Sequence, residues 1–147
     1  MVDPAADATK RAGGPSSLRA AVFLLAGLLP WGVVTWSSGF YLVFALGSTA
    51  VGLAGFNLLP VPVLAPVTPG FAIAWVVGTG CYLLALASAA LGYVDREDRR
   101  VTAGLFVFAG VSVLRFAVEL SGQRGIVVLP VGTATLWLAA LVAYRVR

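Results

Sequence analysis

The sequence predicts an all-α fold, a polytopic transmembrane bundle of five apolar helices, and three observations carry that expectation. Hydrophobic residues make up 60% of the 147 and charged residues 11%, whereas soluble domains carry roughly 45–50% and about 25%. No Asp, Glu, Lys or Arg occurs among the 75 residues from Ala20 to Val94. Five apolar runs, over about 18–36, 40–59, 71–94, 101–120 and 126–144, each approach the roughly 17–25 residues that a membrane-crossing helix needs. So small a chain cannot hide that much apolar surface, so lipid is expected to cover the surplus.

Residues 1–17 are polar and small, with almost nothing to bury, and are expected to form a disordered tail ahead of a membrane domain over 18–147. In the first run Pro30 is expected to kink the helix, and Trp31 and Trp36 to lie near its outer interface. The run is read as an uncleaved span, because it ends in Val33-Val34-Thr35-Trp36 without a small-residue cleavage pattern. The second run carries Ala45, Ser48, Gly52 and Gly55 at helical spacing, and the third carries Gly78, Cys81, Ala85, Ser88 and Gly92. Each set lies along one helix face and allows close backbone approach, so the two stripes are expected to meet. Between these runs, 60–70 holds four prolines and cannot be regular helix.

Charge placement bears on the number of crossings. With five crossings and the N-terminus inside, Lys10, Arg11, Arg19 and Arg124 face five arginines outside, Arg96, Arg99, Arg100, Arg145 and Arg147. If 40–70 were re-entrant, four crossings would remain and the inside count would be eight against one, Arg115 being set aside in both. The second run is fully apolar apart from Asn57 and small hydroxyls and breaks only after its end, which favours five helices.

Candidate chemistry is sparse. Arg115 and Glu119 are four residues apart and can pair on one helix face, with Ser112 one turn earlier. An arginine deep in a bilayer costs roughly 2.5–3.5 kcal/mol on insertion scales, so the pair is either a snorkelling anchor or a binding or relay element. Arg19 and the terminal arginines read as juxtamembrane anchors, and Asp95 to Arg100 as a solvated turn with internal ion pairs. Cys81 stands alone and there is no histidine, which removes internal disulfides and histidine-based acid, base or metal chemistry. No phosphate-binding loop, zinc spacing, catalytic triad or dinucleotide fingerprint occurs, so no cofactor is expected. Nor does any segment cluster basic residues with exposed aromatics as a nucleic-acid binder would.

The overall size, the run Leu28-Leu29-Pro30-Trp31-Gly32 and the sparse charged turns resemble a group of small multi-pass haloarchaeal membrane proteins of unknown function, some encoded beside archaeosortase. The resemblance implies a membrane protein accessory to surface-protein processing. Cys81 lacks the surroundings of the archaeosortase catalytic set, so the resemblance does not imply the transpeptidase itself. The expected role is therefore a non-enzymatic accessory or scaffold subunit in the cell membrane, partnered by the bilayer and by other membrane proteins or a second copy. Two alternatives stand beside it: a small transporter or channel subunit using Arg115 and Glu119, and a lipid-directed enzyme using Glu119 or Asp95, Glu97 and Asp98.

Overall fold

The computed structural model describes residues 17–37, 39–51, 59–60, 70–94 and 96–146. These residues are mostly helical, with four helices and one small sheet. The five-helix, all-α expectation is corrected in its first, second and last runs.

Helix α1, Ser17–Leu28, ends well before Trp36. Pro30 removes a backbone donor and disfavours helical geometry at Leu29, so the helix breaks instead of kinking. The β-branched and aromatic residues that follow suit a pleated strand, and Gly32–Trp36 forms β1. The run expected to be a second helix instead opens with β2, Gly39–Val43, and β3, Gly47–Val51. Its small residues fall at helical spacing by coincidence; Tyr41, Val43 and Thr49 prefer strands, and Gly39 and Gly47 are poor helix formers. Ala45 and Ser48 thus lie in and after the β2–β3 turn, while Gly52, Gly55, Asn57 and the prolines of 61–69 lie outside the described residues.

The sheet has the order β4-β3-β2-β1-β5 and is antiparallel throughout, β4 being Leu59–Pro60 and β5 Val127–Leu129. Register is set by pairs such as Val34 with Tyr41 and Val34 with Val128. Its edges are blunted. Pro60 has no backbone donor to leave unpaired, and the amide of Val128, which alternate pairing turns away from β1, donates to Ser121 Oγ at 3.1 Å.

The third and fourth runs are helical close to their expected bounds. Helix α2 spans Gly70–Ala90, continuing as a tighter turn over Leu91–Val94, and α3 spans Arg99–Ser121. Asp98 caps α3, its carboxylate accepting from the Arg100 amide at 2.9 Å. The last run divides. Ile126-Val127-Val128 favours a strand, Pro130 stops it, and α4 occupies Val131–Arg145, with Arg145 at the end where the helix dipole favours a cation.

Helices α2 and α3 form an antiparallel hairpin joined by the charged turn. Helix α4 runs antiparallel to α3: Thr133 Oγ1 donates to the Gly110 carbonyl at 3.1 Å and Trp137 Nε1 to that of Val107 at 3.3 Å. Helix α1 lies over one half of this trio. Phe23 contacts Phe106 at 4.8 Å between ring centroids, and Tyr82 donates to the Phe23 carbonyl at 3.0 Å. The sheet covers the other half, where Trp75 Nε1 and Thr79 Oγ1 donate to the carbonyls of Phe44 and Ala45 at 3.0 and 2.6 Å. The start of α1, the α2–α3 turn and the end of α4 therefore share one end of the molecule.

Trp31, expected at an outer interface, is instead only 1% exposed at the junction of these parts. Its indole donates to the Ala26 carbonyl at 2.8 Å, its amide to the Val43 carbonyl at 2.6 Å, and its carbonyl accepts from Gly132 at 2.8 Å. Gly132 is required by that approach, since a methyl built on it would lie 2.6 Å from Trp31 Cα. Gly132→Ala is therefore expected to cost about 1–3 kcal/mol through overpacking against backbone. Gly104→Ala, where a methyl meets nothing within 4 Å, is expected to be neutral or stabilising. Thermal unfolding of the two variants in detergent checks the contrast.

Candidate functional site

Arg19, Phe23 and Ala26 are the buried residues of α1, and their spacing places all three on one face. Arg19 is thus carried inward, 2% exposed, instead of anchoring at the surface as the sequence implied. From the opposite side Glu97, at the foot of α3, meets it in an ion pair whose side chains are 3% and 8% exposed. The charged turn is accordingly corrected: one of its acids is interior, while Arg96, Asp98 and Arg100 are exposed and Asp95 lies outside the described residues.

The pair is embedded in a small polar network. Thr102 Oγ1 lies 3.2 Å from Glu97 Oε1 and 2.8 Å from Ser88 Oγ. Thr102 has one hydroxyl proton; given to Glu97, it leaves Ser88 as donor to Thr102, so the bonds run from Ser88 through Thr102 to the carboxylate. The guanidinium also stands 5.4 Å from the centroid of the Phe23 ring. Gly92 makes room for the carboxylate, since a methyl there would lie 2.9 Å from Glu97 Oε2. Arg19 Nε, buried, has no acceptor. Beside the network a groove of about 250 Å³ runs between α1 and α2, with Arg19 in its wall.

The other candidate pair lies near the opposite end. Arg115 Nε donates to Glu119 Oε1 at 2.6 Å, but the side chains are 70% and 32% exposed. Glu119 occupies the last turn of α3, where the helix dipole disfavours an anion, yet its carboxylate reaches the start of α2. A methyl on Gly70 would lie 3.3 Å from Glu119 Oε2, which places the charge where the α2 dipole favours it. Ser112 is half-buried and shares with Arg115 the lining of a small depression of about 150 Å³.

The second small-residue stripe faces α3, not the second run. Gly78 sits where a methyl would be 3.3 Å from Ser112 Cβ, Ala85 is fully buried, Cys81 is half-buried, and Ser88 and Gly92 belong to the Arg19 network. Ala45 and Ser48 of the first stripe are buried in the hairpin, with the Ala45 carbonyl bonded to Thr79. The buried ion pair itself was missed from sequence; the one usable signal was that Arg19 falls in phase with Phe23 and Ala26.

Among the described residues no group of three or more His, Cys, Asp or Glu side chains is placed to hold a metal ion. Arg19 Nε is the one buried side-chain polar atom among the described residues without a hydrogen-bond partner, so the arrangement joins elements and leaves a buried donor unused.

Two long apolar helices, two shorter ones and a blunted antiparallel sheet define a mostly helical protein with two segments long and apolar enough to cross a membrane, α2 and α3. The chain belongs to the family described as Domain of unknown function (DUF8050), whose model matches residues 1–147. No curated protein and no solved structure matches it.

Removing one member of a buried ion pair strands the other charge at about 3–5 kcal/mol, whereas an exposed pair contributes about 0–1 kcal/mol. Glu97→Ala is therefore expected to lower stability by about 3–5 kcal/mol and Glu119→Ala by less than about 1 kcal/mol. The double variant Arg19→Met/Glu97→Leu recovers most of the loss. Denaturation of all three in detergent decides whether Glu97 is buried in solution as described.

Proposed function

We propose that the protein is a multi-pass membrane protein whose basic end faces the cytoplasm, acting as a non-enzymatic accessory or scaffold subunit of a membrane assembly, as the haloarchaeal resemblance implies. The membrane reading is supported by the outer surface. Leu24 and Leu25 on α1, Ile73 and Leu84 on α2, Phe108 and Val118 on α3, and Leu138 and Leu141 on α4 are all exposed. Only 39% of the most apolar window of α2, and the same share of α3, is buried, whereas a soluble core helix hides most of its surface and is polar on its outer face.

Orientation is supported by charge. Arg19, Arg96, Arg99, Arg100 and Arg145 gather at one end, with Lys10, Arg11 and Arg147 adjoining in sequence, and Arg124 lies in the turn at the other. That is the eight-to-one distribution of a chain with both termini on one side, and the positive-inside rule assigns that side to the cytoplasm. Chain direction agrees with an even number of passages. Helices α1 and α4 have 12 and 15 residues, about 18 and 22 Å at roughly 1.5 Å per residue, against a hydrocarbon layer of about 30 Å. The strands joined to them complete those two passages.

The scaffold role rests on how the interior polar groups are spent. Trp31, Trp75, Thr79, Tyr82 and Thr133 each donate to a main-chain carbonyl, three of these carbonyls lying in helices and two in the β2–β3 turn. Each is spent on joining two parts of the fold, and the exposed Arg115 reads as an interfacial anchor.

Cysteine labelling on a Cys81→Ala background tests the orientation: Arg100→Cys is expected to react from the cytoplasmic side and Gln123→Cys from the opposite one. Labelling from the same side would defeat the arrangement. Co-purification in mild detergent tests the role, and a chain that always emerges alone and monomeric would count against it. Vesicle flux abolished by Glu119→Gln would transfer the assignment to the transport reading.

A further inference from the structure

The groove beside Arg19 has no function in the fold. Phe23 and Leu24 form its wall on α1, and Leu86, Ala89 and Ala90 its wall on α2. Such a lining gives water too few partners to be held there. At about 30 Å³ per water-sized group, its roughly 250 Å³ takes about eight methylene-sized units, enough for a segment of acyl chain. Arg19 is the one charged residue in the wall, 2% exposed, and its Nε lacks an acceptor. A buried donor without a partner is costly in an apolar setting, and an oxygen brought by a ligand relieves it.

We propose that this groove holds one acyl chain of an anionic phospholipid from the leaflet at the basic end, an ester or phosphate oxygen accepting from Arg19 Nε. The choice of an anionic lipid follows from charge. Among the described residues this end carries five arginines, Arg19, Arg96, Arg99, Arg100 and Arg145, against two acids, Glu97 and Asp98, and Glu97 is consumed by Arg19. The excess attracts anionic headgroups, as juxtamembrane basic clusters do. The inference rests on the membrane reading above.

The test uses the full chain in a neutral detergent, with native mass spectrometry and thermal unfolding as readouts. A ligand that binds only the folded state raises the unfolding midpoint, and the rise grows with the logarithm of its concentration above Kd. Added phosphatidylglycerol is expected to remain bound and to raise the midpoint by several degrees, while phosphatidylcholine and glycerol phosphate leave it nearly unchanged. Ala89→Phe fills the groove and is expected to abolish retention and shift; if that variant misfolds, Ala90→Leu at the exposed rim carries the same expectation. Gly104→Ala, away from the groove, retains both. Equal shifts with the two phospholipids, a shift with glycerol phosphate alone, or retention by the filled variants would overturn the inference. A chain that stays dispersed and folded without detergent defeats the membrane reading itself. One that needs detergent yet ignores phosphatidylglycerol defeats only the lipid site.

Discussion

Everything else in the molecule is arranged about the seating of Trp31. Directly after the proline that stops α1, it bonds backward to the last turn of that helix, sideways to Val43 of β2, and forward to Gly132 at the start of α4. Its ring meets Tyr82 of α2 edge-on, centroids 5.7 Å apart and planes at 87°. One residue thus fixes where a helix hands over to a sheet, and how both stand against α2 and α4. The geometry requires that Gly132 present no side chain to it, and Gly78 adds a close fit, since a methyl there would lie 3.4 Å from the indole.

The same economy governs the remaining polar groups. A sheet beside apolar helices has turn carbonyls that the ladder cannot satisfy, and each buried without a partner is costly. Trp75 and Thr79, one turn apart on α2, donate to the carbonyls of Phe44 and Ala45 between β2 and β3. Arg19 and Glu97 solve a harder case, two charges in the interior, through mutual neutralisation and the hydroxyls of Thr102 and Ser88. Such a pair adds little net stability relative to apolar replacements, but it fixes register, because either charge alone is expensive. Here it locks the start of α1 to the foot of α3 across 78 positions of sequence.

How much of this was legible in the sequence depends on how local the deciding physics is. Helices α2 and α3 were readable because each is a long apolar run free of proline, α2 set between the proline-rich stretch of 60–70 and the charged turn, and α3 between that turn and the polar residues 121–125. The break at Pro30 was visible as a residue but not as an outcome, since proline kinks some helices and ends others. The run from Phe40 misled because Ala45 and Ser48 fit a helical face while Tyr41, Val43 and Thr49 fit a strand, and its pairing partners, β1 just before it and β3 within it, were themselves read as helix. Gly78, Ala85 and Ser88 share a face by helical spacing alone; which helix they meet depends on the chain's path. The Arg19–Glu97 contact lay beyond local rules altogether, for an arginine before an apolar run looks like an anchor until its helical phase is weighed.

The two outer strands have a further consequence. Sheets of this kind often grow by accepting a strand from a neighbouring molecule along an unpaired rim. Pro60 offers no donor for such growth on one side, and Ser121 already occupies the Val128 amide on the other. At these two positions copies of this chain are steered away from zipping together through their backbones, which shifts lateral assembly toward the side chains that coat its helices.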